Sequence, residues 1–134
     1  MKYFLTSLIV LANLNCSPKF APDAGWGLKH WVLVEMKEVP VQQSGGRKDA
    51  YIGFETPDKR FSGNGGCNQF SGTYTVNKND IKFGEVRSTK MSCVDIEFEN
   101  TFLSVLNSVD RFEQRGNEIR LKRKKETLLV FRAQ

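Results

Sequence analysis

Cys16, Cys67, Cys93 and the single histidine, His30, are the residues of this 134-residue chain with the most distinctive chemistry. A catalytic cysteine needs a neighbouring base or a lowered pKa to form its thiolate, and His30 is the one imidazole present. Zinc held by three cysteines and His30 would lack the short paired ligand spacings of structural sites. Asp49, Asp58 and Asp95 stand where turns and caps are expected, not as a carboxylate pair. The glycine-rich stretch Gly63-Asn64-Gly65-Gly66 is not followed by Lys-Ser or Lys-Thr, and no helix opens there, so it is no phosphate loop. These residues predict no enzyme, no bound metal and no cofactor.

Cys16 suggests a different chemistry. Lys2 is followed by the apolar run from Tyr3 to Ala12. That run is too short for a transmembrane helix of about 20 residues, and it reads as a secretory leader spanning residues 1–15. A cysteine directly after such a leader is the residue that bacterial lipoproteins acylate. Asn13-Leu14-Asn15 departs from the usual residues before such a cysteine, and cleavage after Ala12, giving a soluble periplasmic protein, is the alternative. An odd cysteine count in an exported protein asks for an explanation; pairing Cys67 with Cys93 leaves Cys16 for lipid. Residues 16–25, with two prolines and a glycine, then read as a lipid-anchored tether. Ser17 in place of Asp predicts the periplasmic face of the outer membrane.

The charge balance is uneven along the chain. Residues 1–114 hold 13 basic and 13 acidic residues, whereas residues 115–134 hold 7 and 2, so the net +5 sits at the end. Arg120, Lys122, Arg123, Lys124 and Lys125 supply most of it. Such a cluster can steer an anionic partner, but no aromatic residues are interleaved with it as single-strand binding requires. No nucleic-acid partner is expected.

The elements that position these residues are mostly strands. Trp26 to Met36 should contain the first. Residues 37–49, with Pro40 and Ser44-Gly45-Gly46, read as an exposed loop. Tyr51–Glu55 and a segment starting at Arg60 follow, separated by a turn. Phe70, Gly72, Tyr74 and Val76 alternate with Ser71, Thr73 and Thr75, a clear period of two. Asn77 and Asn79 offer left-handed turn conformations before a strand over 80–86. The period then changes: Phe98, Phe102, Val105, Leu106 and Val109 fall on one helical stripe, with Asp95 as cap and Glu97 and Glu99 at the positive end. Two strands, 118–123 and 127–132, close the chain around a Lys124-Lys125 turn.

Residues 63–74 read Gly-Asn-Gly-Gly-Cys-Asn-Gln-Phe-Ser-Gly-Thr-Tyr, and Ser88-Thr89-Lys90-Met91-Ser92-Cys93 follows about fifteen residues later. With Trp31 and Leu33 in the first strand and Phe102 and Leu106 in the helix, this resembles the META domain, the family of HslJ-like bacterial heat-shock and envelope proteins. Gly66, Cys67, Asn68, Phe70, Gly72, Tyr74, Thr89, Met91 and Cys93 all fall where that pattern places them, and the likeness spans residues 26–134. It implies a mostly β (α+β) fold, an antiparallel, barrel-like sheet with one α-helix packed against it. It also implies a Cys67–Cys93 disulfide, roles in stress tolerance or envelope maintenance, and no catalytic mechanism.

The reading that follows is a non-enzymatic, envelope-anchored binding module, expected as a monomer, with a protein or apolar ligand as partner and the membrane reached through its lipid. Similarity to pilot lipoproteins that hold acyl chains in a cracked barrel predicts an apolar cleft lined by Phe98, Phe102 and Leu106. The alternative is an inhibitor or chaperone-like protein that binds a partner through loop 37–49 and the basic hairpin 120–125.

Overall fold

The computed structural model describes residues 21–42 and 49–134. The expected leader and Cys16 lie outside the described residues, as do positions 43–48 of the loop. Eight strands run β1 (Trp31–Met36), β2 (Tyr51–Glu55), β3 (Arg60–Asn64), β4 (Gln69–Asn77), β5 (Asp80–Ser88), β6 (Arg111–Arg115), β7 (Glu118–Arg123) and β8 (Glu126–Ala133), with helix α1 (Ile96–Ser108) between β5 and β6. Each strand pairs antiparallel with the next, and β8 returns to β1, closing a barrel.

Period-two sequences make this possible, since alternate side chains enter the barrel. In β4, Phe70 and Tyr74 are buried while Gln69, Ser71, Thr73 and Thr75 are exposed. Strand β1 has no such clean alternation. A register shift between Leu33 and Glu35 solves this, letting Trp31, Leu33 and Met36 all join the core. Gly72 is required by close packing: a Cβ there would stand 2.6 Å from the Gly84 carbonyl oxygen and 2.8 Å from the Phe61 ring.

An up-and-down meander sorts its connections onto two rims. The N-terminal rim carries the chain entry at residues 21–30 and the β2–β3, β4–β5 and β6–β7 turns. The other, here the motif rim, carries the β1–β2 loop, the β3–β4 turn, the α1 crossing and the β7–β8 turn. The barrel is weakly zipped at two seams: β1 and β2 share two residue pairs, and β5 and β6 one, Asp80 with Arg111. Helix α1 bridges β5 to β6 and sends Phe102 and Leu106 into the core. Phe102 meets the rings of Phe70 and Phe131, with centroids 5.6 and 6.2 Å away.

Some sequence expectations hold and others need correction. The segment Trp26–Met36 contains the first strand, at Trp31–Met36, preceded by a 3₁₀ turn at Trp26–Leu28. Gly25 enters it at φ 84°, and Trp26 tucks its ring against Phe54 and Phe112, with centroids 4.7 and 4.9 Å away. The left-handed residue of the β4–β5 turn is Lys78, at φ 55°, rather than either flanking asparagine. Asp95 occupies the helix N-cap without a side-chain capping bond. The described part of the expected tether, residues 21–25, is docked: Asp23 is buried, and Trp26 N–H donates to its carbonyl.

Candidate functional site

The cysteine-bearing motifs meet on the motif rim. Cys67, on the β3–β4 turn, is disulfide-bonded to Cys93, with Cα atoms 6.2 Å apart, inside the usual range. Beside the bond lies Asn68, whose polar side-chain atoms are fully used. Its Oδ1 accepts from the Thr89 hydroxyl at 2.8 Å and the Met91 N–H at 2.7 Å. Its Nδ2 donates to the Met91 carbonyl at 3.2 Å and to Glu99 Oε1 at 2.7 Å. The side chain therefore mimics a strand partner for Met91 and pins the 89–93 segment to the turn.

Glu99 stands in the first turn of the helix, as expected, but nothing in the sequence signalled its partners: it is buried. Its Oε2 accepts from the backbone N–H of Asn68 at 2.6 Å and of Cys67 at 3.1 Å. The helix thereby supplies the acceptor that satisfies two turn donors, as burial of polar groups demands. Gly65 makes room for it: a Cβ at 65 would lie 2.6 Å from Glu99 Cγ. A glycine two residues before a cysteine, followed some thirty residues on by a helical acid, is too diffuse a signal to read alone.

The remaining motif residues divide between packing and surface. Gly66, at φ 112°, donates its N–H to Asn64 Oδ1. Phe70 packs in the core. Met91 is 58% exposed and its neighbour Val94 fully so. Phe98 is half-buried and lines a cavity of about 290 Å³ with Pro40, Val41, Ala50 and Asp95. The expected cleft of Phe98, Phe102 and Leu106 is not formed as such. Phe102 and Leu106 are fully buried core residues, because the helix fills the opening between β5 and β6 instead of leaving it free. Phe98 alone of the three faces an opening.

Tyr74 belongs to the opposite rim. Its hydroxyl donates to Asp23 Oδ2 at 2.8 Å, and Lys59 pairs with the same oxygen. Burial pushes the Asp23 carboxyl up, but the hydrogen bonds from Lys59 and Tyr74 outweigh it and hold the carboxyl below its usual range. Burial, with the Asp23 charge alongside, drives the Tyr74 hydroxyl far above its ordinary value. His30 rests against the Tyr51 ring, centroids 4.3 Å apart. No cluster of three or more potential metal-ligating side chains occurs among the described residues.

The basic hairpin is partly neutralised. Lys122 pairs with Glu113 at 2.8 Å and Arg120 with Glu118 at 2.7 Å; the Lys122 ammonium holds the Glu113 carboxyl below its usual range. Arg123, Lys124 and Lys125 remain at the exposed β7–β8 turn. Lys37, at the base of the β1–β2 loop, pairs with Glu126 of that turn, so the loop and the basic turn adjoin.

The family model of the META domain matches residues 26–134. The chain belongs to the META domain family. The region matched covers the barrel and its helix. Among solved structures, this META domain is similar to a protein from Burkholderia xenovorans determined by NMR, at 21% identity and a TM-score of 0.68, covering 100% of this chain and 99% of that one. It is also similar to a DUF4847-family protein from Bacteroides vulgatus determined by crystallography, at 15% identity and a TM-score of 0.62, covering 84% of this chain and 96% of that one. At these identities the likeness shows the fold. No curated protein matches significantly.

Proposed function

We propose that this META domain is a non-enzymatic binding module, exported and held in the cell envelope through an acylated Cys16, where it serves stress tolerance or envelope maintenance. One observation carries the reading. The polar atoms of Asn68, Thr89 and Glu99 are spent on internal bonds that stiffen the motif rim, while Met91 on the pinned segment and Val94 just after it stand exposed. A pre-organised apolar rim suits recognition, because little ordering entropy is lost on binding.

The test is genetic and uses the surface directly. A strain lacking the protein should lose tolerance to heat or detergent, and the parent gene should restore it. A Met91→Asp, Val94→Asp variant, exported in equal amount with an unchanged melting temperature, should not. Full restoration by that variant would remove the rim from the function. Intact mass of the membrane-extracted protein reads the address: acyl mass on a chain starting at Cys16 is expected.

A second reading, an inhibitor or chaperone-like protein, draws support from the adjacency of the β1–β2 loop and the basic turn across the Lys37–Glu126 pair. With Arg120 and Lys122 already paired, steering would rest on Arg123, Lys124 and Lys125. Neutralising those three should slow association with an acidic partner in a salt-dependent way; unchanged on-rates would rule it out.

A further inference from the structure

The described segment nearest Cys16 is fastened to the barrel. Residues 21–24 form a turn closed by Ala24 N–H on the Ala21 carbonyl. Asp23 is buried and latched by Tyr74 and Lys59. Trp26, three residues on, is fully buried against Phe54, Tyr74 and Phe112. All of this lies on the N-terminal rim. Six residues lie between Cys16 and Asp23, a span of seven Cα–Cα steps. Such a span has a typical reach of about 15 Å if flexible and at most about 25 Å fully extended. The nine-residue strands β4 and β5 are each about 30 Å long, so with the tilt of a closed barrel the two rims stand on the order of 20 Å apart.

The N-terminal rim also carries Leu28, 90% exposed on its 3₁₀ turn, followed by Lys29. A leucine beside a lysine suits a bilayer surface, the apolar group entering the headgroup layer and the ammonium staying with the phosphates. The charged residues in the entry and turns of this rim, Lys29, Lys59, Lys78 and Arg115 against Asp23, Glu55 and Asp58, are mixed. They give no strong attraction to anionic lipid. Arg123, Lys124 and Lys125, which would give one, are on the opposite rim.

We infer that the N-terminal rim, through Leu28, rests on the phospholipid bilayer in which Cys16 is anchored, that the Asp23–Tyr74–Lys59 latch sets this orientation, and that the motif rim with Met91 and Val94 points away from that bilayer. The inference rests on the proposed anchoring through Cys16. It gives the apolar rim a direction: its partner approaches from the aqueous side, not from the membrane carrying the anchor.

The test places a tryptophan on each rim. The chain from Cys16 onward contains every strand and the helix, and with Cys67 and Cys93 bonded its one free thiol is Cys16. That thiol is coupled to maleimide-bearing lipid in phosphatidylcholine vesicles containing a headgroup-attached nitroxide lipid. The parent, with buried Trp26 and Trp31, sets the background. Leu28→Trp should add emission that the nitroxide largely removes, and Val94→Trp should add emission that it leaves intact, with no change when anionic lipid or salt is added. Asp23→Ala, verified as folded by its circular dichroism, should lose most of the Leu28→Trp quenching. Quenching of Val94→Trp equal to or above that of Leu28→Trp overturns the inference, as does absence of quenching at both positions. Unchanged Leu28→Trp quenching in the Asp23→Ala background overturns the role of the latch. Because coupling is chemical, these results are independent of native acylation. Absence of acyl mass at Cys16 in membrane-extracted protein removes the proposed anchor and the biological orientation with it, whatever the vesicles show.

Discussion

Replacing Glu99 by glutamine should destabilise the domain far more than its nearly identical shape suggests. The carboxylate accepts three hydrogen bonds, from Cys67 N–H, Asn68 N–H and Asn68 Nδ2. A glutamine can place its carbonyl oxygen where Oε2 now receives the two backbone donors, but its amide then confronts Asn68 Nδ2, donor against donor. Flipping Asn68 does not help, since its Oδ1 already accepts from Thr89 and Met91. At about 1.5–3 kcal/mol for a hydrogen bond to a charged group, plus the cost of a buried donor left unpaired, the loss should be about 2–4 kcal/mol. That is a large share of a typical total of about 5–15 kcal/mol. Urea unfolding of the oxidised protein, followed by tryptophan fluorescence, measures it. The cycle with Gly65 sharpens the test. Gly65→Ala alone should cost about 1–3 kcal/mol, because its Cβ collides with Glu99. In a Glu99→Ala background that cost should vanish. A Glu99→Gln loss below about 0.5 kcal/mol, the usual scale of surface substitutions, or full additivity of Gly65→Ala with Glu99→Ala, would refute the reasoning.

Asp23 and Tyr74 bound the pH range of stability. The Asp23 carboxyl is held below its unfolded value near 3.8, so its contribution is present above that pH and is lost as pH falls through the folded value. The Tyr74 hydroxyl is raised above its unfolded value near 10, so its contribution is present below that pH and is lost as pH rises further. Melting temperature against pH should therefore fall on both sides, and Tyr74→Phe should flatten the alkaline limb; an unaltered limb would contradict the latch. Reducing the Cys67–Cys93 bond removes a constraint worth about 3–4 kcal/mol in the chain-entropy model. The Asn68 and Glu99 bonds tie the same segments together, so the reduced protein should remain folded at lower melting temperature, with loss of its circular dichroism as the contrary result. Lys78→Gly should relieve a left-handed backbone cost of about 1–2 kcal/mol, offset in part by glycine's entropy, for a net gain of about 0.5 kcal/mol seen as a small rise in melting temperature.

The stripe Phe98, Phe102, Val105, Leu106 and Val109 made the helix readable, because a period change from two to 3.6 is a local signal. Strand β4 was readable for the same reason. Within Trp26–Met36 the point where the strand begins was not legible; the glycine at 25, left-handed in the fold, opens the 3₁₀ turn that precedes it. The helix stripe gave the correct face but not its surroundings. Whether Phe102 and Leu106 line a cleft or fill a core depends on how far β5 and β6 separate, a tertiary quantity. Asp23 and Glu99 were illegible for a related reason. Each is an ordinary acid in an ordinary local context, and its partners lie 36 and 51 residues away for Asp23 and 31 and 32 for Glu99.

The pairing of β1 with β8 has a kinetic consequence. Trp31 finds Ala133 across about a hundred residues of chain, whereas β3, β4 and β5 are joined by tight turns. Hairpins between neighbours can form as soon as both strands exist, but the ring cannot shut until the last strand is available. High contact order of this kind makes folding slow. A chain whose first strand waits for its last stays extensible for longer, which suits passage across a membrane before folding; it also leaves β1, joined to β2 by only two residue pairs, with an edge open to mispairing in the interval.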